Sequence, residues 1–190
     1  MALEHLLSQK KPVILEKWLQ LILDTYPADS SRFLKQEKDR FTNPVGYTIS
    51  QELGALYEAL LQGVKPDKLT TALDNIIRIR AVQDFSPSQA VAFIFLLKGA
   101  VREELASEIR ENRLFEDWLQ FENRVDELAL LTFDIYMECR EKVYEIKVNK
   151  VEAETEMASK LLARANLMSG EPSTGQLLKE GEHSDNTTLG

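Results

Sequence analysis

Cysteine and histidine are almost missing from this sequence of 190 residues. Cys139 is the only cysteine, and the two histidines, His5 and His183, lie near opposite ends. A single cysteine excludes an internal disulfide and any site built from several cysteines. Zinc and haem sites use His or Cys ligands, and Ser–His–Asp or Cys–His catalytic sites need a histidine on an ordered scaffold. We therefore expect no metal, no cofactor and no catalytic residue of these kinds.

The sequence also lacks an excess of positive charge and a long apolar run. Lys and Arg number 23 against 31 Asp and Glu, which gives a net charge of −8. Sequence-independent binding to nucleic acid is therefore not expected. The most apolar run covers residues 91–97, far short of the roughly 20 residues that cross a bilayer. No signal peptide is apparent at the start. These features predict a cytoplasmic protein without membrane insertion.

Glycine-rich phosphate loops are missing as well. Gly46, Gly54 and Gly63 are spread along helical patterns, unlike a P-loop or a dinucleotide fingerprint. Neighbouring acidic residues such as those at 103–104 and 126–127 are typical of solvated helix faces. An enzyme is therefore not expected.

The few prolines and glycines stand where helices should begin or end. An apolar stripe predicts a first helix from Pro12 to about Thr25. Ser30 is a candidate cap for a second helix, and Asn43 caps another that begins with a proline. The run 86–89, Ser-Pro-Ser-Gln, predicts a capping box and a central helix through to about Ile109. No strand pattern is convincing, so we predict an all-α bundle of five or six helices.

The last helical pattern, from about Arg113, is the longest. Its apolar positions step by four and three, close to a heptad seam. Such a seam predicts coverage by a partner helix, and a homodimer is the commonest solution. The segment from Asn166 onward is expected to be mobile. The predicted dimer seam consists of Trp118, Phe121, Val125, Leu128, Thr132, Ile135 and Cys139.

Two arginine-bearing corners are the candidate recognition sites. One contains Arg78, Arg80 and Asp84, and the other contains Arg40 and Asn43. Arginine forks bind carboxylates, so these residues could form a patch for an anion or a protein partner. Alternatively, the arginines pair with nearby aspartates or with helix C-terminal carbonyls and lock two corners between helices.

Three segments resemble a known family. They read NPVGYTISQEL, IIRIRAVQDFSPSQAVAFIFLLKGAVREEL and DIYMECREKVYEIKVNKV. They are similar to the N-terminal domain of the RsbRD-type RsbT co-antagonist proteins, over about residues 12–150. The resemblance implies an all-helical, non-haem globin-like sensor module of the kind found in stressosome RsbR proteins. Those domains dimerise and extend a helix towards a STAS domain, and the residues after Ile146 are too few for such a domain of roughly 100 residues.

The resulting hypothesis is a non-catalytic sensory or regulatory module of a bacterial signalling pathway. Residues 1–150 would form the helical sensor with its exit helix, and 151–190 the helix end and a flexible tail. We expect a homodimer, an unidentified protein partner and, as an option, a small-molecule ligand. The alternative is a structural adaptor of an enzyme complex that senses nothing. A cavity with convergent polar groups would favour the sensor, and an exposed apolar strip would favour the adaptor.

Overall fold

The computed structural model describes residues 2–62, 66–83 and 85–169, and in these ranges it contains eight α-helices and no strand. The predicted all-α fold with a long C-terminal helix is therefore confirmed. In chain order the helices are α1 (Leu3–Gln9), α2 (Lys11–Leu23), α3 (Ala28–Gln36), α4 (Pro44–Gln62), α5 (Pro66–Val82), α6 (Pro87–Val91), α7 (Phe93–Glu111) and α8 (Phe115–Ser169).

Two predicted helix starts are confirmed at atomic detail. The Ser86 hydroxyl accepts from the backbone N–H of Gln89 at 3.3 Å, and the Gln89 side chain accepts from the backbone N–H of Ser86 at 2.9 Å. Both halves of the capping box are therefore present at α6. At α4, the Asn43 side chain accepts from the backbone N–H of Gly46 at 2.8 Å. The predicted cap at Ser30 is wrong, because α3 begins two residues earlier, directly after Pro27.

The count of eight helices exceeds the predicted five or six for identifiable reasons. The short α1 lies before the first predicted helix, and its apolar residues are buried. The predicted helix from the Ser86 cap is divided by a single turn residue, Ala92, into α6 and α7. Helix α8 runs on to Ser169, through the first residues of the segment predicted to be mobile. The rest of that segment, including His183, lies outside the described residues, as does Gly63.

Packed helix pairs and two buried polar contacts build the core. The most extensive helix contacts join α4 with α5 and α2 with α7. The Trp18 indole donates to the Phe93 carbonyl at 2.7 Å, which ties α2 to the start of α7. The Tyr57 hydroxyl donates to the Leu7 carbonyl at 3.0 Å and so fixes α1 on α4. The buried polar atoms of Trp18 and Tyr57 thus each have a hydrogen-bond partner.

The predicted dimer seam lies in the core of its own chain. Contacts divide the chain into two units, the first ending at Val143 and the second beginning with Tyr144. In the first unit, six of the seven seam residues are buried and Cys139 packs partly buried against the same core. The buried six are Trp118, Phe121, Val125, Leu128, Thr132 and Ile135.

This placement corrects the predicted position of the dimer seam, while dimerisation itself stays a prediction. The seam is apolar because helices of the same chain cover it. Ion pairs at its margin join α8 to α7, from Lys98 to Asp126 at 2.7 Å and from Arg102 to Glu122 at 2.9 Å. A second copy has no access to these side chains unless the unit opens.

The second unit has the opposite character. From Tyr144 to Met168, α8 continues as a helix in which every residue is exposed. Isolated helices derive little stability from propensity alone, and in proteins most of it comes from packing one apolar face. This part of α8 therefore depends on local ion pairs, such as Lys160 with Glu156 at 2.6 Å, or on a surface that covers it.

Burial of the seam predicts the outcome of a single charge substitution. Val125→Asp places a carboxylate in a fully buried apolar site and should lower the free energy of unfolding by about 3–5 kcal/mol. Urea unfolding followed by circular dichroism measures this loss. The control Ile146→Asp, at a position that is 67% exposed, should leave stability within about 0.5 kcal/mol. Equal stability of the Val125→Asp variant and the wild type would contradict burial of the seam in one chain.

Candidate functional site

The residues predicted to form an anion patch do not converge. Arg78 is exposed, and its Nε donates to the Asp74 carboxylate one turn earlier at 2.6 Å. Arg80 is completely buried. Two residues along a helix point to different faces, so the two arginines of α5 cannot hold one ligand together. Asp84 lies outside the described residues.

Asn43 and Arg40 belong to the corner between α3 and α4. The Asn43 amide nitrogen donates to the carbonyls of Leu34 at 3.0 Å and Glu37 at 2.7 Å, while its oxygen caps α4. Asn43 is 2% exposed, so these bonds satisfy a buried amide and fix the end of α3 against the start of α4. The Arg40 guanidinium lies 5.5 Å from the centre of the Tyr47 ring. The structural interpretation of this corner therefore fits better than recognition.

Arg80 connects three helices from inside the core. Its Nη2 donates to the Thr25 hydroxyl at 3.3 Å and to the Gln89 carbonyl at 3.1 Å, so it joins α5 to the end of α2 and to α6. Three aromatic rings surround the guanidinium, and the Phe85 ring centre is nearest at 4.2 Å. The other two rings belong to Tyr26 and Phe93. Cation–π contacts of this kind offset part of the cost of burying the charge.

The remaining nitrogens of Arg80 have no hydrogen-bond partner. Its Nε and Nη1 are buried and unsatisfied. No carboxylate among the described residues lies within ion-pair distance of the guanidinium. Burial lowers the pKa of Arg80, because desolvation disfavours the charged form. A buried arginine with no counter-charge among the residues that the structure describes is unusual and calls for an explanation.

A cleft of about 520 Å³ lies beside this arginine. Its lining combines two aromatic rings, a proline and four side chains that can form hydrogen bonds. The lining residues are Thr25, Tyr26, Pro27, Ser30, Gln83, Phe85 and Gln89. The Tyr26 hydroxyl donates to the Gln83 side chain at 3.2 Å, and the Tyr26 and Phe85 rings meet edge to face, 5.2 Å apart. Small-molecule sites commonly have this size and mixture of groups.

Sequence reasoning selected Arg80 but missed the cleft. Thr25 and Tyr26 stand 55 and 54 positions before Arg80 in the chain, and nothing in their local pattern links them to it. Close to Arg80 in the sequence, only Phe85, directly before the cap at Ser86, indicated a residue that lines the cleft.

Cys139 has the environment of a structural thiol. It is partly buried, and its Sγ lies 3.9 Å from the Asp74 carboxylate. Burial, and then the negative charge of Asp74, raise the pKa of the Cys139 thiol. A raised pKa keeps the thiol protonated near neutral pH and lowers its reactivity.

An exposed apolar stripe in the second unit is the other candidate surface. Its members step by four and three residues along α8, as in a heptad repeat. We call it the distal stripe, formed by Tyr144, Val148, Val151, Thr155, Ala158, Leu162 and Ala165. Along this stripe alanines and a threonine replace large apolar residues, while the spacing persists.

Metal and membrane sites are not indicated in the parts of the chain that the structure describes. These residues contain no group of three or more His, Cys, Asp or Glu side chains that could hold a metal ion. Within the same ranges, no helix combines the length and apolarity needed to cross a bilayer.

Comparison with models of known protein families shows to which family the chain belongs. The family model of the RsbT co-antagonist protein rsbRD N-terminal domain matches residues 12–148, which is more than half of the chain. The chain belongs to this family. The matched range includes α2 to α7 and the whole buried seam of α8. The family is one of regulatory, stress-signalling domains that act with partner proteins in the stressosome, and it is not known as a catalytic family.

A relative from an archaeon extends the comparison. An "Uncharacterized protein" of Archaeoglobus fulgidus is 28% identical over 158 residues, which cover 80% of this chain and 92% of the relative. No solved structure gives a significant match.

The corner at Asn43 predicts opposite effects for two glycine substitutions in α4. A Cβ on Gly46 would contact the Asn43 side chain, 2.9 Å from its Cγ, whereas a Cβ on Gly54 would meet nothing within 4 Å. Gly46→Ala should therefore lower the free energy of unfolding by about 1–3 kcal/mol. The control Gly54→Ala should raise it by up to about 1 kcal/mol, because alanine favours helix. Urea unfolding measures both, and a Gly46→Ala variant as stable as Gly54→Ala would contradict the close approach.

Proposed function

We propose that the protein is a non-catalytic regulatory module that dimerises through the distal stripe and passes a signal to a protein partner. Membership of a stress-signalling family supports the regulatory role. The observation that carries the dimer is the exposed heptad spacing of α8 in the second unit. The dimer surface proposed here replaces the buried seam of the first unit.

The distal stripe supports a helix pair. Tyr144, Val148 and Val151 begin it, and all are exposed in the single chain. The 25 residues from Tyr144 to Met168 bury no side chain against other described residues, so burial of this stripe would add stability. A helix with the same 4-3 spacing covers such a stripe most completely.

Charge positions favour a second copy in parallel orientation as that helix. In the heptad frame set by the stripe, Lys147 takes a g position and Glu152 the following e position. A parallel pair places Lys147 of one copy beside Glu152 of the other, and does so twice by symmetry. An antiparallel pair would instead join e with e and g with g positions, and so would not place Lys147 beside Glu152.

The composition of the stripe predicts a modest, reversible affinity. In a dimer through the distal stripe, Ala158 and Ala165 would bury little apolar surface, and Thr155 would place a hydroxyl group in the interface. Such a pair exchanges readily and is open to regulation. Regulation of a dimer requires that the monomer and the dimer have similar free energies. A weakly associating distal stripe meets this requirement.

The remaining parts of the proposal follow the predicted organisation. Residues 1–150 act as the regulatory module, and 151–190 act as the helix end and tail. The protein works in the cytoplasm beside its protein partner. The relative from Archaeoglobus fulgidus gives no reason to restrict this role to bacteria.

A structural adaptor remains the second candidate, and one surface favours it. In the first unit, Leu130, Phe133 and Met137 are 70%, 43% and 39% exposed and form a strip on one face of α8. An exposed apolar strip is typical of a docking surface. The cleft beside Arg80 favours the sensor, because it brings polar groups together in a cavity.

Sedimentation velocity tests the dimer with two matched substitutions. Val151→Asp places a charge in the middle of the distal stripe and should weaken association at least about tenfold. Ile146→Asp introduces the same charge outside the stripe, at an f position, and should leave association unchanged. Equal masses for wild type and Val151→Asp would contradict a dimer through this stripe.

Charge reversal tests the parallel orientation. Lys147→Glu should weaken the dimer, and adding Glu152→Lys should restore it, because the exchanged pair has the same attraction. Failure of the double variant to recover would argue against the parallel pairing.

A further inference from the structure

The cleft beside Arg80 has the features of a ligand site. We propose that it binds a small organic anion, a carboxylate on an apolar body, and that the Arg80 guanidinium is the counter-ion. This inference deepens the proposed function and rests on it only for the consequence of binding. Occupancy of the cleft can be measured without reference to dimerisation.

The first argument is that no described residue supplies a negative charge to Arg80. Arg80 has no exposed surface, and two of its three nitrogens lack a partner. Burying a charged group costs several kcal/mol unless an opposite charge and further hydrogen bonds compensate. The two hydrogen bonds from Nη2 and the cation–π contacts with the aromatic rings compensate only part of the cost of burying this charge. A carboxylate is the partner that suits a guanidinium fork best, because it accepts two parallel N–H bonds.

The second argument is the position of the cleft. Its walls are formed by the groups that Arg80 contacts: Thr25 and Gln89 accept from Nη2, and the Tyr26 and Phe85 rings flank the guanidinium. A single layer of side chains therefore separates the charge from the cavity. Phe85 is partly exposed and lies in the short connection between α5 and α6. Rotation of its side chain would bring the guanidinium into direct contact with a bound anion.

The third argument concerns the rest of the ligand. Aromatic rings on two sides suit a flat or aliphatic body, and Ser30 and Gln83 offer hydrogen bonds at the wall. A second groove of about 430 Å³ shares Tyr26, Ser30 and Gln83 and continues the apolar lining to Phe33. An inorganic anion would fill little of this space. The ligand class is therefore an organic carboxylate.

One lining residue of the cleft, Phe85, contacts the long helix of the same unit. The Tyr136 hydroxyl of α8 donates to the Phe85 carbonyl at 3.4 Å. Arg140 of α8 donates to the Ala81 carbonyl, next to Arg80, at 2.9 Å. A ligand that displaces Phe85 thus acts on residues in contact with α8.

Calorimetric titration of the full chain tests the site, with benzoate and hexanoate as probes. Either probe should bind, and at about five times its dissociation constant should raise the Tm by about 2–4 °C. Neutral benzamide should bind at least about tenfold more weakly than benzoate, because it lacks the charge. Inorganic phosphate should also bind more weakly, because it lacks the apolar body.

Variants assign the binding to Arg80 and the cleft. Arg80→Met keeps an unbranched apolar stem and should lose benzoate binding at least about tenfold. Arg78→Ala, which removes the exposed arginine of the same helix, should keep it. Ser30→Trp fills the cleft wall without touching Arg80 and should also abolish binding. Since Ser30 is exposed, this variant decides the question if Arg80→Met fails to fold.

Several results would overturn the site. They are no binding of either probe to the wild type, undiminished binding to Arg80→Met or Ser30→Trp, and benzamide or phosphate binding as tightly as benzoate. Val151→Asp should still bind benzoate, because its change lies in the second unit. Loss of the dimer and loss of the ligand site are thus separate outcomes.

Discussion

Burial of the first part of α8 is the constraint on which the rest of the structure depends. Between Trp118 and Tyr136 this helix supplies apolar side chains to the same core as the other helices of the unit. Hydrophobic burial is the dominant favourable term in folding. The core therefore holds α8 against α7 and α5, and Tyr136 of α8 donates to the Phe85 carbonyl beside the cleft. Beyond Val143 every described side chain from Tyr144 to Met168 is exposed, and there the helix carries the distal stripe.

Local sequence signals predicted most helix boundaries but not what covers α8. The Ser86 capping box and the Asn43 cap depend on residues three positions apart, so the sequence reveals them directly. A 4-3 apolar spacing is the same whether the covering surface comes from the same chain or from a second copy. Only the three-dimensional arrangement decides between these, and it assigns Val125 to the core of its own chain.

The two arginines of α5 show the same limit at the candidate site. Arg78 and Arg80 are close in the chain and looked like one patch. Helical geometry sends one to solvent, where Asp74 pairs with it, and the other into the core. Thr25 completes the environment of Arg80 from a distant part of the chain, so no local pattern could reveal the cleft. Keeping an uncompensated charge there costs stability, and function is a common reason for such a cost.

Native-state hydrogen exchange along α8 tests most directly whether its first part is buried within one chain and its second part is covered only by a second copy. Amides from Phe121 to Tyr136 should exchange only by openings close to global unfolding, whatever the protein concentration. Amides from Ile146 to Leu162 should exchange much faster in dilute solution and gain protection as the concentration rises. The opposite pattern, with protection of Phe121 to Tyr136 that appears only at high concentration, would contradict burial of the seam within one chain.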